Sequence, residues 1–359
     1  MLSFSGLDGT IWLCGVSALF LLAAAVFAAG EGDREFVQNR KGERPEPIIA
    51  VDNVCAWPNL TVLRDGTIIA TIFNQPSHLK LPGDLDCWAS EDGGETWAKR
   101  GTPAPRDNPR AARGNVAAGV ARNGDLIVIA SGWADPVAED RGGVLPAWVS
   151  RSTDGGRTWT IDTKAFPEIM VPFGDILEGA DGGLRVAMYR SKPGTTKVYT
   201  SRDDGKTWGE PVQLSKDAVI HEPAIFHLGG GKWLVGARLD GLDLYTSDDD
   251  AKTWTCQGEL TGRNQHPGHF ARLKDGSVLL SYGNRVDPKG VDVRFSDDEG
   301  KTWSEPFRVA NFPKDGGYPS SVQLPDDRVV TAYYASEAEG HDRYHMGVVI
   351  WDPTKTRGR

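Results

Sequence analysis

Three arginines, a glutamate and a tyrosine carry the clearest chemical signal in this chain. Arg190, Arg238 and Arg285 close apolar stretches at matched places in three successive segments. Guanidinium groups aimed into one pocket suit a carboxylate or phosphate, because each makes paired, charge-assisted hydrogen bonds. A small anionic ligand is implied, against the alternative that each arginine pairs with an Asp or Glu at a strand edge. Glu222, in His221-Glu-Pro-Ala-Ile-Phe226, and Tyr318, in Gly317-Tyr-Pro-Ser-Ser321, stand where apolar stretches begin. A phenol with an ordinary pKa of about 10 is a poor nucleophile at neutral pH, but a carboxylate that accepts its proton makes it usable. A neutral nucleophile also avoids the repulsion a carboxylate would meet on a substrate bearing its own carboxylate at the reacting centre. The same two residues would otherwise be a rim tyrosine hydrogen-bonded to a structural glutamate.

A repeated element must position these groups. Ser90-Glu-Asp-Gly-Gly-Glu-Thr-Trp97 recurs from Ser152, Ser201, Ser247 and Ser296, a period of roughly fifty residues that suits one four-stranded blade per repeat. In each box the Ser, Asp and Thr side chains can bond a tight turn, the Gly can take positive φ, and the Trp packs alongside. The fourth copy carries Ala251 in place of that Gly, which predicts a slightly altered turn. Tight turns at Asp65-Gly66, Asn123-Gly124, Asp181-Gly182, Gly229-Gly230, Asp275-Gly276 and Asp326-Asp327 each separate two apolar stretches and predict hairpins. The expected fold is all-β: a six-bladed β-propeller of four-stranded antiparallel blades. Its last blade runs from about Gly317 to Trp351 and takes a closing strand from the segment 35–51. The boxes and the first turns share one face of such a fold. Residues at the start of each first strand and the end of each second strand therefore meet at the other. That mouth is predicted to hold Trp57, Arg113, Asn115, Glu222, His266 and Tyr318 together with the three arginines.

The 359 residues include 43 Gly, 22 Pro and 12 Trp but only 4 Met, which favours turns and strands over long helices. The net charge is −9 and the basic residues are scattered, which argues against a nucleic-acid partner. Ile11 to Ala29 is apolar or small and ends in a site suited to signal peptidase. Residues 1–29 therefore read as an export signal, or as a membrane anchor if retained, and residues 30–359 as one domain, secreted or periplasmic. Beyond the signal, Cys55, Cys87 and Cys256 remain; Cys55 and Cys87 either pair or are buried thiols. The histidines show no metal-ligand spacing, and Gly229-Gly-Gly231 lacks the Lys-Ser/Thr of a phosphate loop, so neither metal nor cofactor is expected.

Five Asp-boxes, the Glu222 segment followed by Arg238, and Gly317-Tyr-Pro-Ser-Ser-Val-Gln-Leu324 together resemble the exo-sialidase superfamily over nearly the whole mature chain. The resemblance implies a sialidase-like propeller in which Tyr318 is the nucleophile, Glu222 its base partner, and Arg238 and Arg285 two of three carboxylate-binding arginines. Two features depart from the pattern. Cys55-Ala-Trp57-Pro58 stands where a Phe/Tyr-Arg-Ile-Pro motif would supply the first arginine, so that Arg190 or Arg113 becomes the candidate substitute. The acid/base expected on the first blade's loop is Asp84, with His78 as the other proton donor. The activity so implied is release of a terminal acidic sugar, most simply sialic acid, from a glycoconjugate by a retaining exo-glycosidase. The alternatives are a non-catalytic propeller that binds acidic glycans, with Trp57 as a stacking surface, and a glycosidase for another acidic sugar.

Overall fold

A computed structural model describes residues 45–192, 194–216 and 218–356; the predicted export signal lies outside them. The described chain is all-β, with 24 strands and one 3-10 turn at Pro353–Lys355. Four sheets have four strands each; a fifth has eight, built from two four-stranded antiparallel sets joined by a parallel pairing of Gly174 and Asp175 with Ala117 and Ala118. The sets begin with strands Ala56–Val62, Ala112–Val120, Val171–Glu178, His221–Gly229, Gln265–Arg272 and Gly316–Gln323. These first strands touch one another in chain order, and the last touches the first. The sixth set is completed from the amino-terminal side by Ile48–Asp52, which pairs antiparallel to His345–Trp351, overlaps the end of the segment expected to close it and runs one residue past it.

The period of two that defines a strand explains how neighbouring sets hold together. Ile68, Ala70 and Ile72 pack against Val330, Ala332 and Tyr334 of the sixth set, whereas Ile69 packs against Val116 and Val128 of the second. Six apolar clusters lie between successive sets in this way. Each fully buried Ile, Leu or Val in them contributes about 1.5–3 kcal/mol relative to exposure. The hairpin turns form at all six predicted positions.

The boxes have the expected internal bonds. Ser90 Oγ lies 2.8 Å from Asp92, the Gly94 N–H donates to Ser90 Oγ at 2.8 Å, and the Thr96 N–H donates to Asp92 at 2.9 Å. The Trp97 indole closes the turn on the Gly94 carbonyl at 3.0 Å. In the fourth box Ala251 adopts φ 66°, and its N–H reaches Ser247 Oγ at 3.1 Å. The turn survives at the cost of a left-handed alanine, roughly 1–2 kcal/mol. Cys55 and Cys87 are both buried in this structure and unpaired. Burial pushes the Cys87 thiol up to about 12 and Cys55 well above its usual value, so both pack as small apolar groups.

Candidate active site

The first strands carry their functional residues on irregular backbone. The pairing register slips between Ala56 and Asn59, His221 and Ala224, Gln265 and Gly268, and Gly317 and Ser320. Each slip contains a residue followed by proline: Trp57, Glu222, His266 and Tyr318. Trp57, Glu222 and Tyr318 have φ of 48°, 41° and 50°, a region that costs a non-glycine residue about 1–3 kcal/mol. A bulge re-aims a side chain that a regular strand would hold against a neighbouring set. Here three such bulges turn Trp57, Glu222 and Tyr318 onto the same narrow cavity at the end of the first strands.

Glu222 and Tyr318, 96 residues apart in the chain, are joined there by a short hydrogen bond from the Tyr318 hydroxyl to Glu222 Oε1. Arg238 donates to Glu222 Oε2 and lies 3.3 Å from the Tyr318 oxygen. Burial pushes the Glu222 carboxyl up, but the Arg238 charge and the bonds from Tyr318 and Arg238 outweigh it and hold the group below the usual carboxylate range. Burial first, and the Glu222 charge second, push the Tyr318 phenol well above its usual value. The resting pair is thus a neutral phenol donating to an ionised carboxylate, the state from which the phenol can lose its proton as its oxygen attacks.

Arg285 is held differently. Its guanidinium donates to the His266 carbonyl and sits 5.6 Å from the Tyr318 ring centroid. No carboxylate pairs with it among the described residues, which leaves it available to an anion. Burial, then Arg238 and Arg285, push the His266 imidazole down to about 4, so it is neutral at pH 7. Trp57 stacks on Tyr318, with centroids 5.3 Å apart and planes 22° from parallel. Asn115 lines the cavity below them.

His78 joins this group. Its ring stands edge-on to Trp57 at 4.7 Å and to Tyr318 at 6.4 Å. Nδ1 lies 3.2 Å from Asp315, which also accepts from Tyr334 at 2.8 Å and Tyr344 at 3.0 Å. Burial pushes the Asp315 carboxyl up, but His78 and the two phenols outweigh it and bring it to about 2. Asp315 is a site residue that the sequence reading missed. It has no motif of its own, and its partner His78 is 237 positions away.

Among the described residues no hydrogen bond joins Asp84, Arg113 or Arg190 to the Tyr318–Glu222–Arg238 group. Asp84 accepts from the Arg106 N–H at 2.8 Å and is tied through its own N–H to Asn74, just past the end of the second strand. Arg113 is fully buried: it donates to the Pro146 carbonyl at 3.0 Å and to Asp107 at 3.2 Å, and stacks 3.4 Å from the Trp148 centroid. Arg190 faces away because side chains alternate along its strand. Its neighbour Tyr189 stacks on His221 and feels the charges of Glu222 and Arg238, whereas Arg190 feels Glu168 and Tyr199. No group of three His, Cys, Asp or Glu side chains suited to a metal occurs among the described residues.

The family described as BNR repeat-like domain matches residues 66–331. A sialidase of Bacteroides fragilis is 24% identical over an alignment covering 44% of this chain and 37% of that protein, so the chain spans little more than a third of that relative. A protein of unknown function from Dyadobacter fermentans superposes with a TM-score of 0.72 at 24% identity, covering 86% of this chain and 98% of that one. The Trypanosoma rangeli sialidase, in its complex with sialic acid, gives a TM-score of 0.65 at 14% identity, covering 89% of this chain and 59% of that one.

Proposed function

The chain belongs to the BNR-repeat family of the sialidase superfamily, and from that premise we propose that it is an exported, retaining exo-glycosidase that removes a terminal acidic sugar from a glycoconjugate. The observation that carries the reading is the Tyr318–Glu222–Arg238 triplet, a neutral phenol bonded to an ionised carboxylate beside a guanidinium. In this reading the six four-stranded sets are the blades of one propeller, in keeping with the closed order in which their first strands touch. The apolar run Ile11 to Ala29 supports export.

The sugar carboxylate binds Arg285, and Arg238 holds Glu222 and faces the reacting oxygen. The Tyr318 oxygen bonds to the anomeric carbon as the glycosidic C–O bond breaks, and its proton passes to Glu222. The leaving oxygen takes a proton from His78, whose Nδ1 faces Asp315, or from Asp84, bonded to Arg106. Water then attacks the glycosyl–tyrosine, giving one proton to that donor and keeping the other as the sugar hydroxyl, while Glu222 returns to the Tyr318 oxygen the proton it took in the first step. Sialic acid is the simplest substrate. Release from aryl α-sialosides, abolished in Tyr318→Phe, is the expected result; no release by the wild-type protein, or full activity in that variant, overturns the proposal.

A second reading has its own support. Trp57 stands where the family pattern has an arginine and stacks on the ring meant to attack, and Arg113 is engaged elsewhere. A mouth with two arginines and an indole suits another acidic sugar, or binding without turnover. A panel of acidic glycosides assayed for both binding and release separates these outcomes.

A further inference from the structure

Beneath the Trp57–Tyr318 stack the first strands enclose a narrow cavity of about 40 Å³, bordered by Trp57, Asn59, Asn115, Glu222, His269 and Tyr318. Four polar side-chain atoms of its lining residues are buried without a protein hydrogen-bond partner: Trp57 Nε1, Asn59 Oδ1, Asn115 Oδ1 and His269 Nε2. Trp57, Asn59 and His269 are only 9%, 4% and 7% exposed. A buried polar group without a partner costs about 1–3 kcal/mol, and four of the twelve such atoms among the described residues belong to the lining of this one space.

Which ligand fits follows from the donors and acceptors. His269 Nδ1 accepts from the Ser321 N–H at 3.2 Å, so its proton sits on Nε2, which lies 3.3 Å from Asp175. Asn59 Nδ2 donates to the Gly174 carbonyl at 2.8 Å, which leaves its Oδ1 as an acceptor. The lining therefore offers N–H donors from Trp57 and His269 and carbonyl acceptors from Asn59 and Asn115. A cation would face the N–H groups and an anion the carbonyls and Asp175. Water satisfies both kinds, and the volume holds about three, since one needs roughly 10–15 Å³.

We propose that this cavity is a built water site, whose ordered waters accept from Trp57 and His269, donate to Asn59 and Asn115, and hydrogen-bond the Glu222 carboxylate from the channel side. The bond to Glu222 rests on the reading of Glu222 as the base; the water site itself does not. Glu222 then has a third source of hydrogen bonds besides Tyr318 and Arg238, and its ionised state is favoured further.

Two arms test it. In a crystal structure of the wild-type protein that orders single waters, at least one water is expected within about 3.2 Å of two or more of the four atoms. A dry cavity, or a cation with oxygen contacts near about 2.4 Å, overturns the proposal. For the second arm, Asn115→Leu should expel the waters and move the acid limb of the kcat/KM profile up by about one pH unit, the worth of one charge-assisted bond, while Asn115→Ser keeps the wild-type limb. An unmoved limb in an Asn115→Leu protein whose cavity is dry overturns the link to Glu222. A protein inactive on every acidic glycoside overturns the proposed function and leaves the water site to the crystal structure.

Discussion

Glu222→Gln is the sharpest perturbation of the site, because the structure assigns opposite signs to its two consequences. In the native pair the Glu222 charge raises the Tyr318 phenol, in addition to the larger effect of burial, while Arg238 lowers it from 3.3 Å. Two unit charges about 4 Å apart interact by on the order of 4 kcal/mol at an effective dielectric of about 20. Removing the carboxylate charge therefore leaves Arg238 unopposed, and the phenol becomes more acidic. A better leaving proton would by itself suggest a faster nucleophile. The variant nevertheless loses the group that takes that proton in the transition state, and general-base loss lowers turnover by roughly 10²–10⁴-fold, about 3–5 kcal/mol. The expected outcome is a phenol that ionises at lower pH, read from the ultraviolet difference spectrum against Tyr318→Phe, together with that loss in kcat. Circular dichroism checks that the fold is kept, since Arg238 loses its buried partner but is 30% exposed. A phenol that ionises at higher pH in Glu222→Gln, or kcat within threefold of wild type, refutes the assignment of Glu222 as base.

Three further outcomes follow from the same geometry. Arg285→Ala should raise KM for an acidic glycoside at least tenfold yet change stability by under about 1 kcal/mol, because its guanidinium has no carboxylate partner among the described residues; kinetics and urea melts measure the two. Arg113→Ala should do the reverse, costing about 2–4 kcal/mol through lost stacking on Trp148 and lost bonds to Pro146 and Asp107, with KM unchanged in the folded fraction; Arg190→Ala should likewise leave KM unchanged. Asp315 has its folded pKa depressed from 3.8 to about 2, so its contribution is present above pH 4 and lost as pH falls from about 4 to 2. That depression corresponds to about 2 kcal/mol, discounted to about 1 because the side chain is 37% exposed. Asp315→Asn should therefore narrow the stability difference between pH 5 and pH 2 by that amount in denaturant melts.

The parts of this molecule that could be read beforehand are those in which cause and effect lie within a few residues. A box turn is held by bonds such as Thr96 to Asp92, four positions apart, and a hairpin by its two strands and the turn between them. Such turns fix the order and direction of the strands, and through them the end of the fold at which Glu222, Arg238, Arg285 and Tyr318 emerge. They do not say toward which face a side chain turns at that end. Arg190 lies at the same level as Arg238 but on the other face, where strand alternation gives the inward place to Tyr189. Three of the residues that turn inward, Trp57, Glu222 and Tyr318, share a local mark with His266, the proline that follows each at a register slip. Proline disfavours the ordinary helical conformation in the residue before it and lacks the N–H of a regular ladder, so a recurrent X-Pro at the start of the first strands is a signal of bulged, inward-aimed side chains that reading arginines alone passes over. Asp315 has no such mark. It is specified only by His78, Tyr334 and Tyr344 arriving from other parts of the chain, and a residue defined by partners so distant becomes legible only once the sets have closed on one another.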